Sequence, residues 1–283
     1  MSSSERTDPL GLAGARLLDR YVVEQAIAQG GMAVIYRGRD LRLLRPVCIK
    51  VFHRLQRSEA SYRTAYEHFV QEAFALSQFL HPNTLRIFDF GYLDGDGRSP
   101  GDGGAPFQIS ELLDQGTLTQ RVRREGALSP AQALEILEPL AGALSEAHGR
   151  GIVHRDIKPS NILFAQAGAR RVVKLCDFGI AKISDDDAPN RAEDTVTSAG
   201  RPLRLFSAAW AAPEQLTGGP IGPAADVYAL GLVTAFMLLG RPVFSIGRDD
   251  DVVVARTASE RTIARALAEH DVPPALAEVI RAA

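Results

Sequence analysis

The chain has 283 residues, 46% of them hydrophobic and 23% charged, and a formal net charge of −2. That composition suits a globular protein large enough for a substantial core and two lobes, and the near-neutral balance gives no push toward nucleic acid or an anionic membrane. Two cysteines, Cys48 and Cys176, make no disulfide framework and fit a reduced, cytoplasmic setting. The N-terminus is Ser-rich and lacks the apolar core of a signal peptide. The longest apolar run, residues 227–239, is too short to span a bilayer, so any membrane tether is expected only in sequence beyond residue 283.

In chain order, residues 1–16 are small, polar and Gly-containing and read as a flexible tail. Residues 21–27 read as a strand, followed by Ala28-Gln29-Gly30-Gly31-Met32-Ala33 and a second strand through Ile35. Glycines between two strands let the backbone fold tightly with its amides aimed at an anion, although a plain hairpin would look the same in isolation. Residues 46–51 read as a buried strand with a single charge, Lys50. A lysine there needs a partner or ligand, or an edge position from which its stem reaches water. Residues 62–79 read as a helix. Phe69, Ala73, Leu76 and Phe79 or Leu80 recur at helical spacing, with Glu72 beside the stripe. Pro82 ends that helix, and residues 85–90 read as the next strand. Residues 94–106, with five glycines and two prolines, read as an inserted surface loop. Residues 107–113 follow as a strand.

Ser129 and Pro130 form a helix start, a capping hydroxyl followed by proline at the first helical position. Leu134, Leu137, Ala141, Leu144 and His148 read as the buried face of that helix, and Pro139 as a kink within it. Next comes His154-Arg155-Asp156-Ile157-Lys158-Pro159-Ser160-Asn161. An acid, a lysine two positions on and an asparagine five positions on form a phosphoryl-transfer set. Asp156 can accept the proton of an incoming hydroxyl, Lys158 can neutralise charge on the moving group, and Asn161 can offer an amide oxygen to magnesium. Residues 172–175 read as a strand, followed by Cys176-Asp177-Phe178-Gly179, where an acid at the end of a buried strand before a glycine hinge suits a metal ligand. Residues 180–212 are polar and carry several hydroxyls, and Arg155 is a ready partner for a phosphate placed there. Asp226 opens an all-round apolar helix, which must be central.

These motifs, in this order, resemble a protein kinase. His154-Arg155-Asp156 with Lys158-Pro159 and Asn161 is similar to the catalytic loop of the serine/threonine branch. Gly30-Gly31-Met32 resembles the Gly-rich loop of bacterial Hanks-type kinases, and Val47-Cys48-Ile49-Lys50 resembles the Val-Ala-Ile-Lys strand. Asp177-Phe178-Gly179 resembles the magnesium motif, and Ala212-Pro213-Glu214 the end of an activation segment. Ala28 and Ala33 replace two of the family's glycines, and Phe206 and Trp210 are also departures.

The resemblance implies an α+β, two-lobed protein kinase fold. A small antiparallel sheet lobe with one main helix would span about residues 17–111, and a larger helical lobe about 112–283, cut before the family's last helices. It implies ATP and Mg²⁺ as cofactors. Ala28, Gln29, Gly30, Gly31, Met32 and Ala33 would cover the phosphates, and Lys50, paired with Glu72, would hold them. Ile35, Cys48 and Leu163 would sandwich the adenine, the backbone of Glu111 and Leu113 would bond its edge, and Ser110 would stand behind it. Asn161 and Asp177 would hold the metal. Asp226 would be satisfied by backbone amides of the catalytic loop. The implied reaction is transfer of the ATP γ-phosphoryl group to Ser or Thr of protein substrates. Autophosphorylation of Thr195, Thr197 or Ser198, in trans within a homodimer, belongs to the same expectation. The alternative is a nucleotide-binding pseudokinase acting as a scaffold or switch.

Overall fold

The computed structural model describes residues 8–30, 32–53, 59–93, 104–178, 209–244, 259–268 and 272–282. Gly31, Gly179, Phe206 and the three hydroxyl residues Thr195, Thr197 and Ser198 lie outside the described residues. The chain divides into two compact units, Met1–Phe79 with Leu85–Leu113, and Leu80–Thr84 with Asp114–Ala283.

The first unit is built on one antiparallel sheet. Its strands are β1 (Arg16–Leu17), β2 (Tyr21–Gln29), β3 (Ala33–Asp40), β4 (Arg45–Phe52), β5 (Ile87–Tyr92) and β6 (Pro106–Glu111). They are ordered β1-β2-β3-β4-β6-β5, so β6 lies between β4 and β5. Among the described residues, helix α1 (Glu59–Gln78) is the one helix of this unit. Side chains alternate across a strand, and β4 shows the result. Val47, Ile49 and Val51 are fully buried in a cluster with Tyr21, Val23, Val34, Tyr36, Phe107 and Ile109, while Cys48 and Lys50 leave the opposite face. On that opposite face Ala33 and Phe52 pack against Tyr66 and Phe69 of α1. The α1 stripe of Phe69, Ala73, Leu76 and Phe79 is buried as its spacing predicts, whereas Leu80 is 84% exposed.

Two expectations need correction here. The segment before β1 is not a free tail from Asp8 onward. Leu10, Leu12 and Ala15 pack on the first cluster. The Asp8 carboxylate accepts from the amides of Leu10 and Ala13 and from the Tyr36 hydroxyl at 2.6 Å. The Gly14 amide and the Ala15 carbonyl extend the ladder onto Val23. Short polar composition hid an edge that the sheet supplies with partners. The second correction concerns 94–106, since Pro106 already belongs to β6 and is buried.

The second unit holds α2 (Leu118–Glu125), α3 (Pro130–Gly149), a 3-10 turn at Pro159–Asn161 and the hairpin β7 (Ile162–Ala167) with β8 (Arg170–Leu175). It continues with α4 (Pro213–Thr217), α5 (Pro223–Leu239), α6 (Ser259–Ala268) and α7 (Pro274–Ala282). Residues 80–84 are tied to it through Asn83, whose side chain donates to the Val173 carbonyl at 2.7 Å. Helix α3 starts as expected, with Ser129 and Gln132 in a reciprocal capping box. Its buried stripe is Ala133, Ile136, Leu140, Ala143, Leu144 and Ala147. Leu134 is 48% exposed and Ala141 is exposed, so the face lies one position from the expected one. Small alanines, which carry little hydrophobic signal, mark the close-packed side. Helix α5 is buried along nearly its whole length.

A buried ion pair ties the sheet together at the end of β3. Asp40 is fully buried and receives a fork from Arg20, Nε at 3.0 Å and Nη2 at 2.7 Å, together with the amides of Arg42 and Leu43. Next to it the Tyr21 hydroxyl donates to Asp89, and burial with that bond pushes Tyr21 up to about 12. The Arg20 bond, ahead of the amide donors, holds the Asp40 carboxyl well below the usual carboxylate range. A carboxyl depressed in the folded state stabilises the fold above its unfolded value and stops doing so as pH falls toward its folded value. Asp40→Ala is therefore expected to lower Tm by about 5 °C at neutral pH. In circular-dichroism melts the gap should narrow below about pH 4. A gap that stays constant down to acid pH would rule out the ionised carboxylate as its source.

Candidate active site

The first unit holds a turn and a charged pair. The turn joins β2 to β3, and the Gly30 amide donates to the Ala33 carbonyl at 2.8 Å. Ala28, Gln29 and Gly30 are exposed, and Met32 is 44% exposed, so these backbone groups and side chains meet solvent. Beyond the turn the strand register places several expected residues on one face. Ile35 is the Cα partner of Lys50, Cys48 that of Ser110, and Lys50 that of Gln108. Lys50 Nζ donates to both oxygens of Glu72 on α1, at 3.0 and 3.3 Å. Both side chains are mostly buried, 17% and 14% exposed. The edge-lysine reading of the sequence is set aside, because β4 is an interior strand and its lysine has an ion-pair partner. Ser110 Oγ donates to the Glu111 carbonyl at 3.3 Å, while the Glu111 amide is taken by the Arg86 carbonyl.

The second unit holds the loop of residues 152–158. Asp226, in the first turn of α5, is 1% exposed. Its Oδ2 accepts from the His154 amide at 2.7 Å and from His148 Nε2 at 2.7 Å, and its Oδ1 accepts from the Arg155 amide at 2.8 Å. This clamp holds Arg155 at φ 64°, a left-handed value that non-glycine residues rarely take. His154 is fully buried. Its Nδ1 accepts from the Asp156 amide, which puts the ring proton on Nε2, where it donates to the Cys176 carbonyl at 3.1 Å. Burial pushes the imidazole pKa down, so it serves as a neutral spacer.

The candidate catalytic side chains are placed by that scaffold. Lys158 Nζ donates to Asp156 Oδ2 at 2.7 Å. Asn161 Nδ2 donates to the same oxygen at 3.1 Å and to the Asp156 carbonyl at 2.9 Å. With its nitrogen committed, Asn161 is left its amide oxygen as the atom to offer a cation. The Asn161 carbonyl in turn accepts from the Cys176 amide at 2.9 Å, tying it to the chain that carries Asp177. Asp177 is exposed at φ 56°, and the next residue, Phe178, is buried against the His154 ring at 4.4 Å. Two hard oxygen donors, an amide and a carboxylate, are the kind Mg²⁺ takes when substrate phosphates complete its shell. Leu163 is half-buried on β7. Arg155 has its carbonyl held by Gln215 Nε2 at 2.9 Å.

Comparison with known proteins decides the family. Residues 21–278 match the family described as the protein kinase domain. The chain belongs to the protein kinase domain family. The serine/threonine-protein kinase PknL of Mycobacterium tuberculosis is 34% identical over 278 residues, which are 98% of this chain and 62% of that protein. The serine/threonine-protein kinase PknB of Mycolicibacterium smegmatis is 33% identical over 264 residues, 93% of this chain and 39% of that protein. The chain thus spans less than two thirds of the length of these relatives. Among the described residues no helix is long and apolar enough to cross a membrane.

Sequence reasoning missed three residues of this kinase domain. His148, read as part of an apolar helix face, is the third donor to Asp226. Gln215 latches the loop through Arg155. Gln108 is a buried amide paired in register with Lys50, and its signal was available as one of two uncharged polar residues, with Ser110, in a strand buried on both faces. The clamp makes a separable prediction. In Asp226→Asn, amide exchange of residues 152–158 should rise about ten-fold, while residues 133–144 of α3 keep their protection. An equal rise in both segments in a hydrogen-exchange experiment would mean that Asp226 supports the whole unit rather than the loop.

Proposed function

We propose that this domain is an ATP-dependent protein kinase that phosphorylates Ser or Thr hydroxyls. The observation that carries the reading is the set Asp156, Lys158 and Asn161, joined by side-chain bonds of 2.7–3.1 Å on a loop locked by Asp226. Asp156 orients the acceptor hydroxyl and takes its proton as the hydroxyl oxygen bonds to the γ-phosphorus. The bond from that phosphorus to the β-γ bridging oxygen breaks, and ADP leaves. Lys158 neutralises charge on the transferred group. Lys50, oriented by Glu72, does so at the α- and β-phosphates. Such a site works by positioning and electrostatics rather than by covalent chemistry. When bound, Mg²⁺ supplies positive charge at the β- and γ-phosphates, and Asn161 and Asp177 are the residues that would hold it.

Around the nucleotide, Ile35, Cys48, Ser110 and Leu163 supply the adenine-contacting side chains, and Glu111 and Leu113 the backbone groups. The segment 28–33 covers the phosphates. Protein substrates, and a second copy of the chain acting in trans on Thr195, Thr197 or Ser198, are the partners. A cytoplasmic location fits two cysteines, Cys48 and Cys176, that form no disulfide with each other.

Asp156→Asn is expected to reduce phosphotransfer by about 10³-fold while leaving nucleotide binding within a few-fold. Turnover from labelled ATP and binding by calorimetry read the two separately, and near-normal turnover in the variant would remove Asp156 from its role. Mass-spectrometric mapping after incubation with Mg-ATP should find phosphate on Thr195, Thr197 or Ser198 in the unsubstituted protein and not in Asp156→Asn. Stoichiometric ATP binding with no phosphate on any residue would favour the scaffold role instead.

A further inference from the structure

Gln108 belongs to no kinase motif and has no part in the mechanism above. It lies in β6, 2% exposed, and its Oε1 is buried without a hydrogen-bond donor. Its Cα partners are Lys50 on β4 and Phe90 on β5. Directly paired residues of an antiparallel sheet leave the same face side by side, so the amide is flanked by the lysine on one side and the ring on the other. Helix α1 covers that face through Phe69, whose ring lies 5.9 Å from Lys50 Nζ and 6.4 Å from the Phe90 ring. Two aromatic rings offer the carboxamide oxygen nothing. A buried acceptor that has given up water and found no donor is costly, and native structures keep such a group when another state or ligand meets it. The flanking donor is the Lys50 ammonium.

We propose that Gln108 is a positioning residue for Lys50, a second acceptor that takes the ammonium whenever Glu72 does not hold it. Three N–H donors on a flexible four-carbon stem can exchange one neighbouring acceptor for another while staying on the same face of the sheet. The two acceptors differ in what carries them. Glu72 rides on a helix packed against the sheet, whereas Gln108 is in a strand paired on both sides. Loss of the ion pair therefore does not release Lys50 to solvent. It hands the ammonium to the sheet, within reach of its place at the phosphates. The proposal deepens the assignment of Lys50 as the phosphate-binding lysine and rests on that reading for its consequence. Its test needs no turnover.

The test is the rate at which an amine-acylating reagent labels Lys50 in the full chain without nucleotide, mapped by mass spectrometry, with Lys174 as internal reference. In Glu72→Ala, Gln108 should catch the ammonium and keep labelling slow. Glu72→Ala with Gln108→Leu should label Lys50 about ten-fold faster, with Lys174 unchanged. Gln108→Met gives the same readout should the leucine variant fail to fold, and Gln108→Glu in the Glu72→Ala background should restore slow labelling. A merely structural role for Gln108 would shift melting or label both lysines alike. Equal Lys50 rates in Glu72→Ala with and without Gln108 would overturn the proposal. Slow labelling restored by Gln108→Glu, beside an unsubstituted chain that never transfers phosphate, would keep it and sink the kinase reading instead.

Discussion

The buried carboxylate of Asp226 is the constraint on which the active loop depends. Removing an ion of this size from water costs several kcal/mol after relaxation, and the cost is met only by close donors. Asp226 has three, the amides of His154 and Arg155 and the ring of His148. It also sits in the first turn of α5, where the helix dipole favours negative charge. The loop must bend to deliver two successive amides to one carboxylate. That bend is the left-handed Arg155, a conformation the chain would not hold alone.

From that bend the order propagates by hydrogen bonds rather than by bulk packing. The His154 ring takes the Asp156 amide on one side and gives its proton to the Cys176 carbonyl on the other. One neutral ring thereby sets both the loop of Asp156 and the strand end that carries Asp177. A charged imidazole would lose its acceptor nitrogen and the Asp156 amide with it, so the burial that depresses its pKa is part of the design. The sheet unit solves a similar problem differently. Lys50 is placed by strand alternation and paired by a helix, and the polar residue beside it, Gln108, is neutral with an Oε1 that accepts no hydrogen bond.

Much of this was legible from residue order alone. The β4 lysine and the Asp156, Lys158 and Asn161 set announce their chemistry, because each places polar groups where a plain core or loop has no use for them. Asp226 was legible for the same reason, as an acid opening a helix apolar on every side. The misreadings share another cause. The α3 stripe was drawn through Leu134 because leucine outweighs alanine in any hydrophobic pattern, yet close packing selected Ala133, Ala143 and Ala147. The segment from Asp8 was read as a tail because its few apolar residues show no period. Its order comes from Tyr36 and the β2 edge, which are distant in sequence.

Local patterns therefore carried the element types, the family resemblance and the choice of candidate catalytic side chains, since these depend on residue chemistry and on spacings of a few positions. Long-range pairing settled the rest. That His148 on α3 would meet Asp226, 78 positions away, follows from how two helices pack. That Gln108 would lie beside Lys50 follows from β6 entering the sheet between β4 and β5. Neither can be read from a window of sequence, because the energy of a buried polar group depends on donors that only the assembled fold brings within 3 Å.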